Sequence, residues 1–107
     1  NDYASTAGNI KKYLDENTLL VISSDLSHYH NYEKAQLLDE ETVNEIILLK
    51  GIINHEQACG ADGINILMHL AREFDWKPVL LDERNSGDTA GDKDRVVGYC
   101  AIAFVKY

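Results

Sequence analysis

Thr18-Leu19-Leu20-Val21-Ile22-Ser23 is a largely apolar run that passes directly into a polar, aromatic one, Ser24-Asp25-Leu26-Ser27-His28-Tyr29-His30. An apolar stretch of this length, bounded by polar residues, suits a strand covered on both faces, as in a parallel sheet with helices above and below. The change of character at Ser24 is where such a strand ends and a loop begins. In α/β sheets, ligands gather outside the carboxyl ends of the strands. Residues 24–32 are therefore the first place to look for chemistry.

Upstream, Tyr3, Ala7, Ile10 and Leu14 recur at helical spacing and predict an amphipathic helix over residues 5–14, closed by Asp15-Glu16-Asn17. Gly8 weakens it by about 1 kcal/mol relative to alanine. Downstream, Asp39 can act as N-cap of a second helix over residues 39–53, with Glu40 and Glu41 at its positive end. Val43, Ile46, Ile47 and Ile53 trace its apolar stripe, and a third helix after Gly60 carries Ile64, Leu67, Met68, Ala71 and Phe74 on one face. Pro78-Val79-Leu80-Leu81 reads as a strand, residues 86–94 as a turn-rich loop, and residues 95–105 as the best strand in the chain. The order helix, strand, helix, helix, strand, strand makes an α/β fold, a layered sheet with flanking helices, the leading architecture. Three helices of modest length cover such strands thinly, so part of the fold is expected to lie outside these residues.

The chain has 107 residues, one domain's worth, with 45% hydrophobic and 26% charged residues. Ten Lys+Arg against 18 Asp+Glu give a net charge of −8. That argues against nucleic acid and anionic membrane surfaces as partners, since both are recognised by basic faces. No apolar run approaches the ~20 residues of a membrane span, and no signal peptide opens the chain. Two cysteines, Cys59 and Cys100, are too few for a secreted disulfide scaffold, so a cytoplasmic setting is expected.

Three groups of residues are candidates for chemistry. Asp25 and His28 stand three apart in the loop after the first apolar run, a carboxylate and an imidazole suited to metal ligation or proton transfer. The bland alternative is an Asx turn at Asp25 and an ordinary half-exposed histidine. Cys59, in Ala58-Cys59-Gly60-Ala61, precedes the third helix, where the positive helix end favours a thiolate able to bind metal. A cysteine filling a core gap is the alternative, and Cys100 inside the last strand suits it better. Asn85-Ser86-Gly87-Asp88-Thr89-Ala90-Gly91-Asp92 reads either as an anion nest or as a plain connecting turn. His30, His55 and His69 rank lower, as surface or satisfied core histidines. A four-ligand structural zinc site is unsupported, because no CxxC pair exists.

Three strings, Leu20-Val21-Ile22-Ser23-Ser24-Asp25-Leu26-Ser27-His28-Tyr29, Ala58-Cys59-Gly60, and the Asn85-to-Asp92 loop followed by Val96-Val97-Gly98-Tyr99, resemble the Memo-like family. Its bacterial and archaeal members are labelled AmmeMemoRadiSam system protein B. The resemblance spans about residues 5 to 105 in the family's order. It implies a fold like that of the catalytic subunits of class III non-haem-iron extradiol dioxygenases. It also implies a metal pocket joining two histidines from the N-terminal half to an Asp, a His and a Cys from the C-terminal half.

Carried over residue by residue, those last three fall on Asp25, His28 and Cys59, with Ser86 and Asp88 as weaker neighbours. Residues 1–107 would then be a single domain, the C-terminal part of a longer Memo-like domain. The missing N-terminal half would be a partner, together with a small-molecule substrate and, by family association, a radical-SAM enzyme and an accessory protein. Fe(II) is the expected metal, with Cu or Zn as alternatives, since a thiolate donor disfavours Mg and Ca. With three of five pocket groups present, metal affinity of these residues alone is expected to be weak or absent. The leading function is a metal-dependent, dioxygenase-like oxidoreductase acting on a small molecule. The alternatives are a peptide- or partner-binding module, and a thiol-based redox protein using Cys59.

Overall fold

Helix starts in this chain are set by short polar side chains that take up free N–H groups. Asp2 accepts a hydrogen bond from the Ser5 N–H and starts α1, Tyr3–Lys11, two residues before the expected position. The computed structural model describes residues 2–89 and 91–106. Along them follow β1 (His28–His30), α2 (Tyr32–Ile47), α3 (Ala61–Phe74), β2 (Lys77–Asn85), a 3-10 turn (Ser86–Asp88) and β3 (Val96–Val105).

The second helix lies seven residues earlier than the sequence predicts. Asn31, not Asp39, is its N-cap: the Asn31 side chain accepts from the Lys34 N–H at 2.9 Å. Asp39 is instead a mid-helix residue on the buried face, in line with Ala35, Thr42, Val43 and Ile46. The helix stops at Ile47 because Leu49 and Gly51 both turn to positive φ. The third helix begins directly after Gly60, as expected, and ends where Asp75 adopts the left-handed conformation. Inside it, the buried Asn65 side chain both accepts from the Ile53 N–H (2.8 Å) and donates to the Ile53 carbonyl (2.9 Å). That pair ties the α2–α3 connection to the core.

The sheet has three strands in the order β1-β3-β2, and every pairing is antiparallel. The expected parallel arrangement is therefore corrected. β2 runs from Lys77 to Asn85 against Val105 to Gly98, well beyond the four residues read as a strand, with a bulge between Leu80 and Asp82. α2 lies against β2 and β3, while α1 packs on α3 through Tyr3 Oη to Asp62 and Lys11 to Glu73. The core between these elements is Leu26, Val43, Ile46, Ile53, Ala58, Ala61, Ile64 and Met68.

Residues 18–23, expected to be a strand covered on both faces, form none. They pair with no strand among the described residues, and the first strand is His28–His30 instead. The physical reason is the absence of a ladder partner: β1 pairs with β3 at Val96 and Val97 and β2 pairs with it from Gly98 to Val105, and a run becomes a strand only when another backbone accepts its ladder. One face is nevertheless packed. Ile22 lies against the core and against Gly63, whereas Leu19 and Val21 are 85% and 71% exposed. The accessible surface, 6951 Å², exceeds the ~6,000 Å² typical of a compact 12.0 kDa monomer. The radius of gyration of 14.5 Å likewise exceeds the roughly 13 Å of a compact domain this long.

Candidate metal centre

Residues 24–28 cross between β3, α2 and the start of α3, and each of the three holds them. From β3, the Gly98 carbonyl accepts the Leu26 N–H at 2.8 Å and the Gly98 N–H donates to the Ser27 carbonyl at 3.0 Å. From α2, Asp39, only 3% exposed, accepts the Ser27 N–H on Oδ1 at 2.9 Å. Gly98 makes this possible, since a Cβ there would stand 1.9 Å from Asp39 Oδ2. From the α3 side, the Gly60 N–H donates to Ser24 Oγ at 2.8 Å, and that hydroxyl donates to the Asp25 carbonyl at 2.7 Å. A Cβ on Gly60 would lie 2.7 Å from Ser24 Cβ, so glycine is what allows the two stretches to touch.

With Leu26 and Ser27 anchored inside, Asp25 and His28 project outward on either side of them. Their side chains are 49% and 41% exposed, and Asp25 Oδ2 lies 3.7 Å from His28 Nε2. The step Cys59-Gly60 brings the third group: the Asp25 N–H donates to Cys59 Sγ at 3.4 Å, and Ser24 Oγ lies 3.7 Å from the same sulfur. One ligand atom each from Asp25, His28 and Cys59 falls within 4.8 Å of the others. Residues up to 34 apart in sequence are thus gathered into a single exposed cluster.

The other candidates lie elsewhere or do structural work. His30 follows a bulge at Tyr29 and pairs with Val96, outside the cluster. His55 is exposed and stands 3.5 Å from Asp62, and His69 is a half-buried residue of α3. Asp88 closes its own loop, accepting the Asn85 N–H at 2.9 Å and the Tyr32 hydroxyl. Those two bonds, the Tyr32 hydroxyl first, hold the Asp88 carboxyl below its usual range, and the same contact pushes the Tyr32 hydroxyl up. Ser86 Oγ accepts the Val97 N–H at 3.0 Å. The Gly87 N–H is directed to Asn85 Oδ1, and the Thr89 and Gly91 N–H groups to the Ser86 carbonyl, so these three donors are taken up within the loop. Cys100 lies within β3, and burial, followed by the nearby Glu83 and Asp39 charges, pushes its thiol up to about 11. Burial and the same Asp39 charge also raise the Glu83 carboxyl.

Ser24 and Gly98, which build the site without belonging to it, fall inside the quoted strings, whereas Asp39, which does the same, carries no motif of its own. One signal was available: Asp39 is a carboxylate in the apolar register of α2, a position where a charged group needs a buried partner.

A family model described as Memo-like protein matches residues 2–103. A MEMO1 family protein of Sulfurisphaera tokodaii is 36% identical over 102 residues, covering 89% of this chain and 36% of the relative. Its counterpart in Saccharolobus solfataricus is 35% identical over the same shares, and one from Sulfolobus acidocaldarius is 37% identical over 93 residues, 80% of this chain and 33% of the relative. This chain belongs to the Memo-like family. It spans about a third of the length of the curated relatives it matches.

The donors of this Memo-like chain suit a borderline transition metal. A sulfur, an imidazole and a carboxylate would suit such an ion better than the hard cations Mg and Ca. Neighbouring donors of a tetrahedral site lie roughly 3.3–3.8 Å apart, given metal–ligand distances of about 2.0–2.3 Å. The upper end belongs to sulfur donors; a nitrogen–oxygen pair reaches roughly 3.5 Å, and Asp25 and His28, 3.7 Å apart, stand just beyond that. Among the described residues, no helix is long and apolar enough to cross a membrane.

Proposed function

We propose that this Memo-like chain supplies three donors to the metal centre of an oxidoreductase that acts on a small molecule, in a fold related to the extradiol dioxygenases. The observation supporting it most directly is the convergence of Asp25, His28 and Cys59 donor atoms within 4.8 Å. When bound, Fe or Cu would supply redox chemistry there, and Zn would supply Lewis-acid chemistry. Cys59 and His28 are the principal ligands, and Asp25 either completes the set or moves a proton at its exposed Oδ2. The Asp25 N–H fixes the sulfur, and Asp39 fixes the Asp25–His28 stretch from behind. Two further histidines from the rest of the protein complete the pocket. Leu19 and Val21, large and exposed, are where that portion covers the extended run.

Titration of the full-length protein with Zn(II), Fe(II) and Cu(II) tests this reading. One tight equivalent, weakened at least about tenfold by Cys59→Ala and by His28→Ala, is expected. Unchanged affinity in both variants would overturn the assignment. A second reading needs no metal: Cys59 is exposed with an N–H aimed at its sulfur, and acts as a redox thiol. Under it, oxidant-dependent turnover survives a chelator, whereas the metal-centred reading requires its loss.

A further inference from the structure

β1 pairs with β3 irregularly, and the irregularity falls beside a site residue. His28 stands opposite Val97 and His30 opposite Val96, so a two-residue step on β1 faces a one-residue step on β3. Tyr29 is the extra residue, and its φ is +65°. A bulge of this kind normally uses glycine at the left-handed position, because a Cβ is disfavoured there. A bulky aromatic residue with positive φ is a genuine outlier. Such outliers persist only where their surroundings over-determine them.

The bulge has a definite consequence for the two histidines. Directly opposed residues of a ladder share a face, and successive residues alternate. Val97 and Val96 are successive, so His28 and His30 emerge on opposite faces. In a regular strand, residues two apart would share one. Val96 is fully buried and His30 beside it half-buried, while His28 is exposed with Asp25 and Cys59. The Tyr29 ring is held from two sides: it lies 5.6 Å from the His28 ring at 41°, and the Arg95 guanidinium sits 5.5 Å from its centroid.

We infer that Tyr29 is a positioning residue: its left-handed bulge, locked by Arg95 on the ring face, directs the His28 imidazole to Asp25 and Cys59. The inference rests on the metal-centred reading above and adds the device that aims one of its ligands. Tyr29 itself contributes no ligand atom.

The test is metal binding by the full-length protein. Zn(II) affinity is measured by competition, and Co(II) is used as a probe whose thiolate charge-transfer band reports the Cys59 bond. Tyr29→Val, whose branched Cβ resists positive φ, is expected to lower Zn(II) affinity about 10–100-fold, the usual effect of losing a ligand's support. It should also alter the cobalt spectrum while the far-UV circular dichroism stays constant. Tyr29→Phe, which keeps the ring and the bulge, should bind within about twofold of wild type and so rescue the effect. Arg95→Gln should cost about two- to fivefold, the equivalent of an exposed cation–π contact. Should Tyr29→Val not fold, Tyr29→Ala and Arg95→Gln take its place, since alanine removes the ring that Arg95 holds and its Cβ still disfavours positive φ without the bulk of a branched side chain. Wild-type affinity and an unchanged cobalt spectrum in Tyr29→Val, or in both substitutes, would overturn the inference. A wild-type protein with no thiolate–cobalt band at all would instead sink the metal-centred reading, and this inference with it.

Discussion

Residues 18–23 and β3, Val96–Val105, are the two long apolar runs of the chain, and they meet opposite fates. β3 has a ladder partner along its whole length, β1 at Val96 and Val97 and β2 from Gly98 to Val105, while residues 18–23 pair with nothing described. In both, side chains alternate between cover and solvent. Leu20 and Ile22 turn inward from Leu19 and Val21, as Val96 and Gly98 turn inward from Tyr99. Local composition therefore sets an extended backbone and a preferred inner face in each run. Whether that backbone becomes a strand depends on a second backbone lying alongside.

The largest effect should come from the point where β3 touches α2. Gly98→Ala would place a methyl group 1.9 Å from Asp39 Oδ2, in a contact that leaves neither partner room. Displacing Asp39 also strips the Ser27 N–H of its partner. Overpacking and the loss of a buried charged hydrogen bond each cost about 1–3 kcal/mol, so a loss of at least about 3 kcal/mol is expected in urea unfolding. A change below about 1 kcal/mol would mean that β3 and α2 are less tightly apposed than the geometry requires.

The same chemical change in the two runs sharpens the contrast. Val96 is fully buried, and Val96→Ala should cost about 2 kcal/mol, between the ranges for losing one methylene and three. Val21 is 71% exposed, and Val21→Ala should change the stability of this chain by less than about 0.5 kcal/mol. If residues 18–23 gain a neighbour in the longer protein, Val21→Ala should become costly there and stay neutral here. Equal effects in both settings would break the comparison.

Gly60 is where the unpaired run is fastened to the site. Gly60→Ala would bring a methyl group to 2.7 Å from Ser24 Cβ and 2.8 Å from the Ser23 carbonyl oxygen. Because residues 18–23 lack a ladder, they can yield, and a loss of about 1–2 kcal/mol is expected. The displacement separates Cys59 from Asp25, so Zn(II) affinity should fall with stability. Stability loss with affinity intact would detach Gly60 from the metal centre.

Much of this was legible in the sequence, for reasons that differ by element. The third helix was placed correctly because Gly60 and the apolar face of Ile64, Met68 and Ala71 mark it without competition. The second was read from Asp39 because an acidic residue before an apolar stripe is what an N-cap looks like. Asn31 wins because its side chain reaches the Lys34 N–H, while Asp39 serves a loop twelve residues upstream. Asp25, His28 and Cys59 were legible as motif residues, but their convergence depends on Gly98, Gly60 and Asp39, whose contacts are long-range. The Tyr29 bulge was not legible at all, since tyrosine is among the residues least expected at positive φ.

The smallest expected effect concerns the two cysteines, one within β3 and one beside the residues that follow the unpaired run. Cys100 within β3 is held as a neutral thiol, pushed up to about 11 from 9.0 by burial and by the Glu83 and Asp39 charges. A group whose value rises on folding binds its proton more tightly in the native state than in the unfolded one. Its contribution is thus fully present below pH 9 and is lost as pH rises from about 9 towards 11. Cys100→Ser should flatten this part of the stability–pH curve, although Cys100 is only partly buried and the slope it removes is correspondingly modest. At pH 8 roughly one Cys100 in a thousand is a thiolate, given the value near 11, so alkylation there should be slow. Cys59, exposed beside the residues that follow the unpaired run, should react first. Equal alkylation rates would mean that β3 opens as readily as the run that has no partner, and the contrast between them would fail at its chemical end.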